Sequence, residues 1–169
     1  TLADLIREYD KKIQQLFSSH PDSPIFSSLP GAGAAYAPRL LAAFGTNRSR
    51  YESADEIQKY SGIAPVLERS GKTQWVHRRF ACPKFLRQSF HEFANQSIRF
   101  SLWARAYYEQ QRAKGNGHHA AIRSLAFKWI RIIFRCWKNR TPYDELKYLK
   151  ALQRKGSSLL RYIAESTPV

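Results

Sequence analysis

The sequence predicts an all-α fold: a helical domain containing a helix-hairpin-helix element and one short β-hairpin, preceded by the end of a coiled-coil helix. Three observations carry this expectation. Apolar residues recur at three- and four-residue intervals over most of the chain. A glycine-rich turn, Leu29-Pro30-Gly31-Ala32-Gly33, separates two helical stretches. One segment, Val66 to Phe80, has no helical period.

Leu2, Leu5, Ile6, Tyr9, Ile13, Leu16 and Phe17 form the apolar stripe of a first helix that has no residue before Thr1 to cap it. Such a stripe either docks on its own domain or continues a coiled coil. Pro21 and Pro24 break the pattern and leave one short helical turn before the glycine hairpin. Ala34 to Phe44 is a small-residue helix ended by Gly45. Short helix, Gly-x-Gly turn and helix together make the helix-hairpin-helix reading, over about residues 24–45. Glycines at Gly31 and Gly33 let backbone N–H groups approach a phosphate, and a helix N-terminus adds partial positive charge. A plain tight turn between packed helices is the competing reading.

Ser53, with Glu56 three residues on, predicts a capping box that opens a two-turn helix to Tyr60, stopped by Ser61-Gly62-Ile63-Ala64-Pro65. Val66 to Phe80 reads as a loop or a hairpin turning at Ser70-Gly71. Pro83 suits the first position of a helix in which Phe85, Leu86, Phe90 and Phe93 share a face. Further helices are expected from Ser101 to about Lys114, from His118 to about Lys138, and from Tyr143 after a Thr141-Pro142 start. Lys155-Gly156 ends or loosens that last helix, and Ser157 to Val169 reads as a weakly specified tail.

The 169 residues carry 28 Lys+Arg against 13 Asp+Glu, a formal net charge of +15. With 43% hydrophobic and 14% aromatic residues the chain can build a core, so the charge belongs to a folded surface. Such a surface accumulates polyanions, and nucleic acid is the expected partner. A basic scaffold for protein partners is the other reading, and it predicts little salt dependence of binding. Two distant cysteines, Cys82 and Cys136, make neither a disulfide framework nor a metal signature. No stretch approaches the roughly 18 apolar residues of a membrane span, so no membrane partner is expected. Thr1 to Ile6 lacks the plan of a signal peptide.

Basic residues cluster in three places. Arg48 and Arg50 stand in the loop after Gly45. Arg69, Lys72, Arg78 and Arg79 surround Trp75 and His77, where an aromatic can stack on a base. Lys128, Arg131, Arg135 and Lys138 recur every three or four residues and make one stripe that can lie along a phosphate backbone. The acids do not cluster, so no metal site is expected. Ser70 lies between Arg69 and Gly71-Lys72. A serine hydroxyl needs an activating base, and attack on a phosphodiester needs nearby cations. By spacing alone, Ser70-Gly71 is a turn.

Several motifs in this order resemble the C-terminal transposase domain of the insertion-sequence 110 family, the bridge-RNA-guided transposases. They are Leu29-Pro-Gly-x-Gly33, Tyr60-Ser-Gly-Ile-Ala-Pro65, Arg69-Ser-Gly-Lys72, Trp75-Val-His-Arg78 and Cys82-Pro-Lys-Phe-Leu-Arg-Gln88. Ala126-Phe-Lys-Trp-Ile-Arg131 and Arg140-Thr-Pro-Tyr-Asp-Glu145 follow the same pattern, so the resemblance covers roughly Ile25 to Glu145. It departs after the hairpin, where Arg78-Arg79-Phe80-Ala81 stands in place of a Lys-Arg-Gly-like motif.

The resemblance implies that Ser70 is the nucleophile of DNA strand cleavage and exchange, with Ser61 as its rival. It implies DNA and a guide (bridge) RNA as partners, held by Arg69, Lys72, Arg78, Arg79 and Arg87. It implies a homo-oligomer through the coiled coil and a bacterial, cytoplasmic, nucleoid-associated location. A divalent metal, Mg²⁺, is implied in an RuvC-like domain with four acids. That domain is not on this chain, so no cofactor is expected here and the chain by itself is expected to bind without cutting. The implied organisation is 1–20, end of the linking coiled-coil helix; 21–145, transposase C-terminal domain; 146–169, helical tail. A non-catalytic helix-hairpin-helix module that anchors DNA or RNA is the alternative.

Overall fold

The computed structural model describes residues 1–165. Its centre is the helix His118–Asn139, which packs chiefly against the helices Ala54–Tyr60, Lys84–Ser97 and Leu102–Ala113. Ile122, Leu125, Trp129, Ile130, Ile133 and Trp137 recur at helical spacing and are fully buried. Numbered in chain order, the helices are α1 (Leu2–Ser18), α2 (Ser23–Ser27), α3 (Gly33–Phe44), α4 (Ala54–Tyr60), α5 (Lys84–Ser97), α6 (Leu102–Ala113), α7 (His118–Asn139), α8 (Glu145–Arg154) and α9 (Leu159–Glu165). The chain is therefore mostly helical. Between α4 and α5 lies one antiparallel hairpin, β1 (Val66–Ser70) and β2 (Thr73–His77).

Three tryptophans organise the core, and each indole N–H has a partner. Trp129 donates to Ser97 Oγ at 2.8 Å, Trp137 to the Gly45 carbonyl at 2.8 Å, and Trp103 to Tyr143 Oη at 2.7 Å. Large buried area with no orphaned donor is what makes indoles good core residues. Trp103 and Trp129 also pack on each other, with ring centroids 4.6 Å apart.

The stretch around residues 24–45 forms two helices joined by a turn containing Gly31 at φ +78°. A side chain at Gly31 would meet Phe100 at 2.7 Å, so this glycine seats the turn on the α5–α6 connection. Gly33, at φ +49°, faces open space. Within α3, Pro38 has no N–H to give the Ala34 carbonyl one turn back. The Gln14 side-chain amide of α1 fills that vacancy, donating to the Ala34 carbonyl at 2.7 Å. Together with buried Phe17, it fastens the end of α1 to the domain. Gln14→Ala is expected to cost roughly 0.5–1.5 kcal/mol in a urea unfolding titration, the worth of one hydrogen bond.

The structure changes several expectations. The first helix is capped: Thr1 and Asp4 form a capping box. Ser53 precedes α4 as expected, but its side chain makes no cap bond, and Glu56 accepts from the Glu52 N–H at 2.8 Å instead. The last long helix is capped by Asp144 and starts at Glu145. Tyr143 cannot belong to it. Its N–H donates to Ser28 Oγ at 2.8 Å and its hydroxyl to Glu145 at 2.6 Å, which ties the residue across the core. Residues 157–165 are more ordered than a tail, because α9 packs on α6 and buries Leu159. The final four residues of that expected tail lie outside the described residues.

Candidate nucleic-acid interface

The hairpin departs from helix because alternating residues, with Gly71 at φ +58°, favour a tight reversal. Ser70 pairs with Thr73, so the turn is Gly71-Lys72, one residue later than expected. Side chains alternate across the ladder. Ser70, Thr73, Trp75, Glu68 and His77 share one face, and Arg69 lies on the other with Leu67, Gln74 and Val76. Sequence adjacency therefore does not place the Arg69 guanidinium beside the Ser70 hydroxyl.

Almost the whole hairpin is exposed, including Ser70, Arg69, Lys72 and Arg78, and Trp75 is 48% exposed. Its root is fixed instead. A Cβ on Gly62 would overlap Cys82 Sγ, so only glycine lets the two ends of the segment come together. Arg79 donates to the Ala64 carbonyl at 3.4 Å, and Arg87 to the Arg79 carbonyl at 3.5 Å. Arg79 and Arg87 thus help to hold the root.

The two serine–glycine motifs differ sharply. Ser61 is fully buried and its hydroxyl donates to the Gln58 carbonyl at 3.2 Å. Ser70 is exposed, and among the described residues no side chain hydrogen-bonds its hydroxyl. His77, on the same face, is 3.2 Å from Glu68.

Of the other cations, Arg48 is taken up inside the fold. It grips the buried Asp22 carboxylate at 2.6 and 2.8 Å and lies 4.8 Å from the Trp137 ring centroid. The hydrogen bonds from Arg48 hold the Asp22 carboxyl below the usual carboxylate range. Arg50 is exposed, 5.2 Å over the Tyr51 ring. On α7, Arg131 and Arg135 are exposed and in no ion pair among the described residues. Lys128 is half-buried over the Tyr107 ring at 4.3 Å, and burial lowers its pKa. Lys138 donates to the Arg48 carbonyl at 2.5 Å, which takes it out of the stripe.

Sequence reasoning passed over Arg123. It lines a groove of about 400 Å³ with Gly62, His77, Arg78, Arg79 and Ser124, between the hairpin root and α7. Its spacing, eight residues before Arg131 on the same i, i+4 row, was the available signal. Burial, and then the charge of Arg78, lower the pKa of Arg123. Beside it, His91 is held below the ordinary histidine range, first by burial and then by His119 and Arg123. Among the described residues, no three His, Cys, Asp or Glu side chains converge as metal ligands. No described helix is long and apolar enough to cross a membrane.

Fold and surface together define a helical domain that presents exposed cations on a hairpin and along its central helix. The chain belongs to the IS116/IS110/IS902 transposase family, whose model matches residues 23–109. It is 33% identical over 135 residues, 80% of its length, to a protein of the IS117 mini-circle of Streptomyces coelicolor. It is 30% identical over 139 residues, 82% of its length, to an IS110 insertion-element protein of the same organism. It is 25% identical over 153 residues, 85% of its length, to a pilin gene-inverting protein of Moraxella bovis. The chain spans about one third of the length of the two Streptomyces proteins (33% and 34%) and 46% of the Moraxella one.

Proposed function

We propose that this chain is the nucleic-acid-binding part of a DNA transposase and supplies Ser70 as the nucleophile of strand cleavage and exchange. The observation that carries the reading is the exposed hairpin. It puts the Ser-Gly motif of the family resemblance on a protruding tip, while the rival Ser61 is sealed in the core.

In the proposed step, Ser70 Oγ attacks a DNA phosphorus and the phosphorus–O3′ bond breaks. The 5′-phosphate is left on the serine and a 3′-hydroxyl on the other strand end. The serine proton passes to a base and the 3′-oxygen takes up a proton. Among the described residues none is bonded to the Ser70 hydroxyl, and in this reading the base comes from outside the hairpin. That matches a composite site whose other half is the RuvC-like domain, where a divalent metal would stabilise charge on the phosphoryl oxygens. On this chain, Lys72 at the turn is the cation beside Ser70 able to hold the DNA backbone at the tip.

The α2–α3 unit is proposed as a helix-hairpin-helix anchor in which only Gly33 presents an open backbone. Leu2, Ile6, Tyr9, Ile13 and Leu16, spaced four-three-four-three and exposed, suit a coiled coil and a homo-oligomer. A guide RNA would share the basic surface, and the bacterial cytoplasm would be the place of action. A purely anchoring module is the second reading, favoured by the missing base at Ser70.

Binding of the 169-residue chain to duplex DNA is expected to weaken linearly in log Kd with log salt, with a slope of about 0.9 per phosphate contacted. The double variant Arg131→Gln/Arg135→Gln should lower that slope by roughly 2. Binding that is indifferent to salt would contradict the nucleic-acid reading and favour a protein partner.

A further inference from the structure

We propose that the groove between the hairpin root and α7 holds one unpaired nucleotide, its base on an apolar floor and its phosphate between Arg78 and Arg123. The proposal rests on the nucleic-acid reading above and adds a site to it.

The groove is lined by apolar Ile63, Pro65, Val76 and Phe127, taken here as its floor, and by Arg78 and Arg123, taken as its rim. Phe127 is fixed from behind, because the Gln58 amide donates to its carbonyl at 2.7 Å and ties α4 to α7. A groove of about 400 Å³ falls in the size range of small-ligand pockets. A duplex backbone would need only the cationic rim and would leave the apolar floor wet. A base turned out of its stack uses both: its π-face packs on apolar and aromatic side chains while its phosphate meets the guanidinium groups.

The rim invites an anion. Neither Arg78 nor Arg123 has an ion-pair partner among the described residues, and the charge of Arg78 disfavours that of Arg123. The polar groups of the lining are already engaged: Ser124 with Tyr107 at 2.7 Å, and His77 with Glu68 at 3.2 Å. The floor therefore has few free groups to read a base edge, and the site should accept any base.

This nucleotide is not the one attacked at Ser70. Four steps of the ladder separate the Val66–His77 pair at the root from the Ser70–Thr73 pair at the tip. At roughly 3.4 Å per residue that is about 14 Å. The groove would grip a nucleotide displaced from the cut and hold the strand while the tip reacts.

The test compares binding of the 169-residue chain to a dT oligonucleotide and to an abasic phosphodiester of equal length. Both are measured in a Trp75→Ala background, which removes the exposed stacking residue. The parent should prefer dT by about tenfold. Adding Ala120→Leu, which fills the groove without adding charge or a ring, should abolish that preference and leave the salt slope unchanged. Arg78→Gln/Arg123→Gln should instead lower the slope by roughly 0.7, the value for one phosphate on a single strand. Unaltered melting temperatures would show that each variant is folded, and the arginine pair gives a second handle if Ala120→Leu is not.

A dT preference that survives Ala120→Leu, or a slope unmoved by the arginine pair, would overturn the groove while leaving the nucleic-acid reading intact. Inorganic phosphate displacing both polymers equally, with no dT preference, would reduce the groove to a simple anion site and also overturn it. A parent chain that binds neither polymer would contradict the nucleic-acid reading itself.

Discussion

Arg48→Ala should lower the unfolding free energy by about 3–5 kcal/mol, the usual cost of leaving one partner of a buried ion pair alone. Asp22 and Arg48 are 7% and 16% exposed in their side chains, so solvent screens this pair little. The guanidinium also packs on Trp137, so its removal opens a gap beside a core indole. For a domain of this size the melting temperature should fall by on the order of 10 °C.

The pH dependence gives the prediction a sign. In the native protein the hydrogen bonds from Arg48 depress the Asp22 carboxyl. That contribution is fully present above the ordinary carboxylate value near 4 and is lost as pH falls through the lower folded value. In Arg48→Ala, burial of an unpaired carboxylate pushes the same group upward, so protonation relieves the variant. The stability gap between the two proteins should therefore be widest at neutral pH and narrow below about pH 4. Urea titrations at pH 7 and pH 3.5 would show it. A gap equal at both values would mean that lost packing, and not the stranded carboxylate, sets the cost.

The second large effect concerns Ser70. Ser70→Ala removes one exposed oxygen that bonds no other side chain, so stability should change by no more than about 0.5 kcal/mol. Nucleic-acid affinity should be nearly unaltered, since the cations remain. Strand exchange by the whole transposase should vanish, because the proposed nucleophile is gone. Thr73, its ladder partner, is the nearest candidate. An active Ser70→Ala protein that loses activity only on adding Thr73→Ala would move the chemistry one position across the hairpin.

The sequence made α5, α6 and α7 legible because their apolar residues follow one helical period and each begins or ends at a clear signal, such as Ser101 or Gly117. The hairpin was legible by default, since the period fails there and glycine stands at its turn. What stayed hidden depends on contacts between distant residues. Arg48 reads as a surface cation until the fold brings Asp22 under it, 26 residues earlier. The partner of the carbonyl that Pro38 frees in α3 is Gln14, which comes from α1, 20 residues earlier than Ala34. Tyr143 reads as a helical residue because nothing local reveals its bonds to Ser28 and Trp103.

At the candidate site the motif located Ser70, but the alternation of the ladder, and not sequence adjacency, decides which residues stand beside it. Arg123 escaped notice because its partner in the groove, Arg78, comes from another element. Ser61 and Ser70 differ in burial, which the two Ser-Gly dipeptides do not disclose.

The central claim is that Ser70 becomes covalently attached to DNA. It is tested most directly by denaturing the whole transposase during reaction on its DNA substrate and mapping any protein–DNA adduct by mass spectrometry. The account predicts an adduct on Ser70 through a 5′-phosphate, absent from Ser70→Ala although that variant still binds DNA. An adduct that persists in Ser70→Ala, or that maps to another residue, would contradict it.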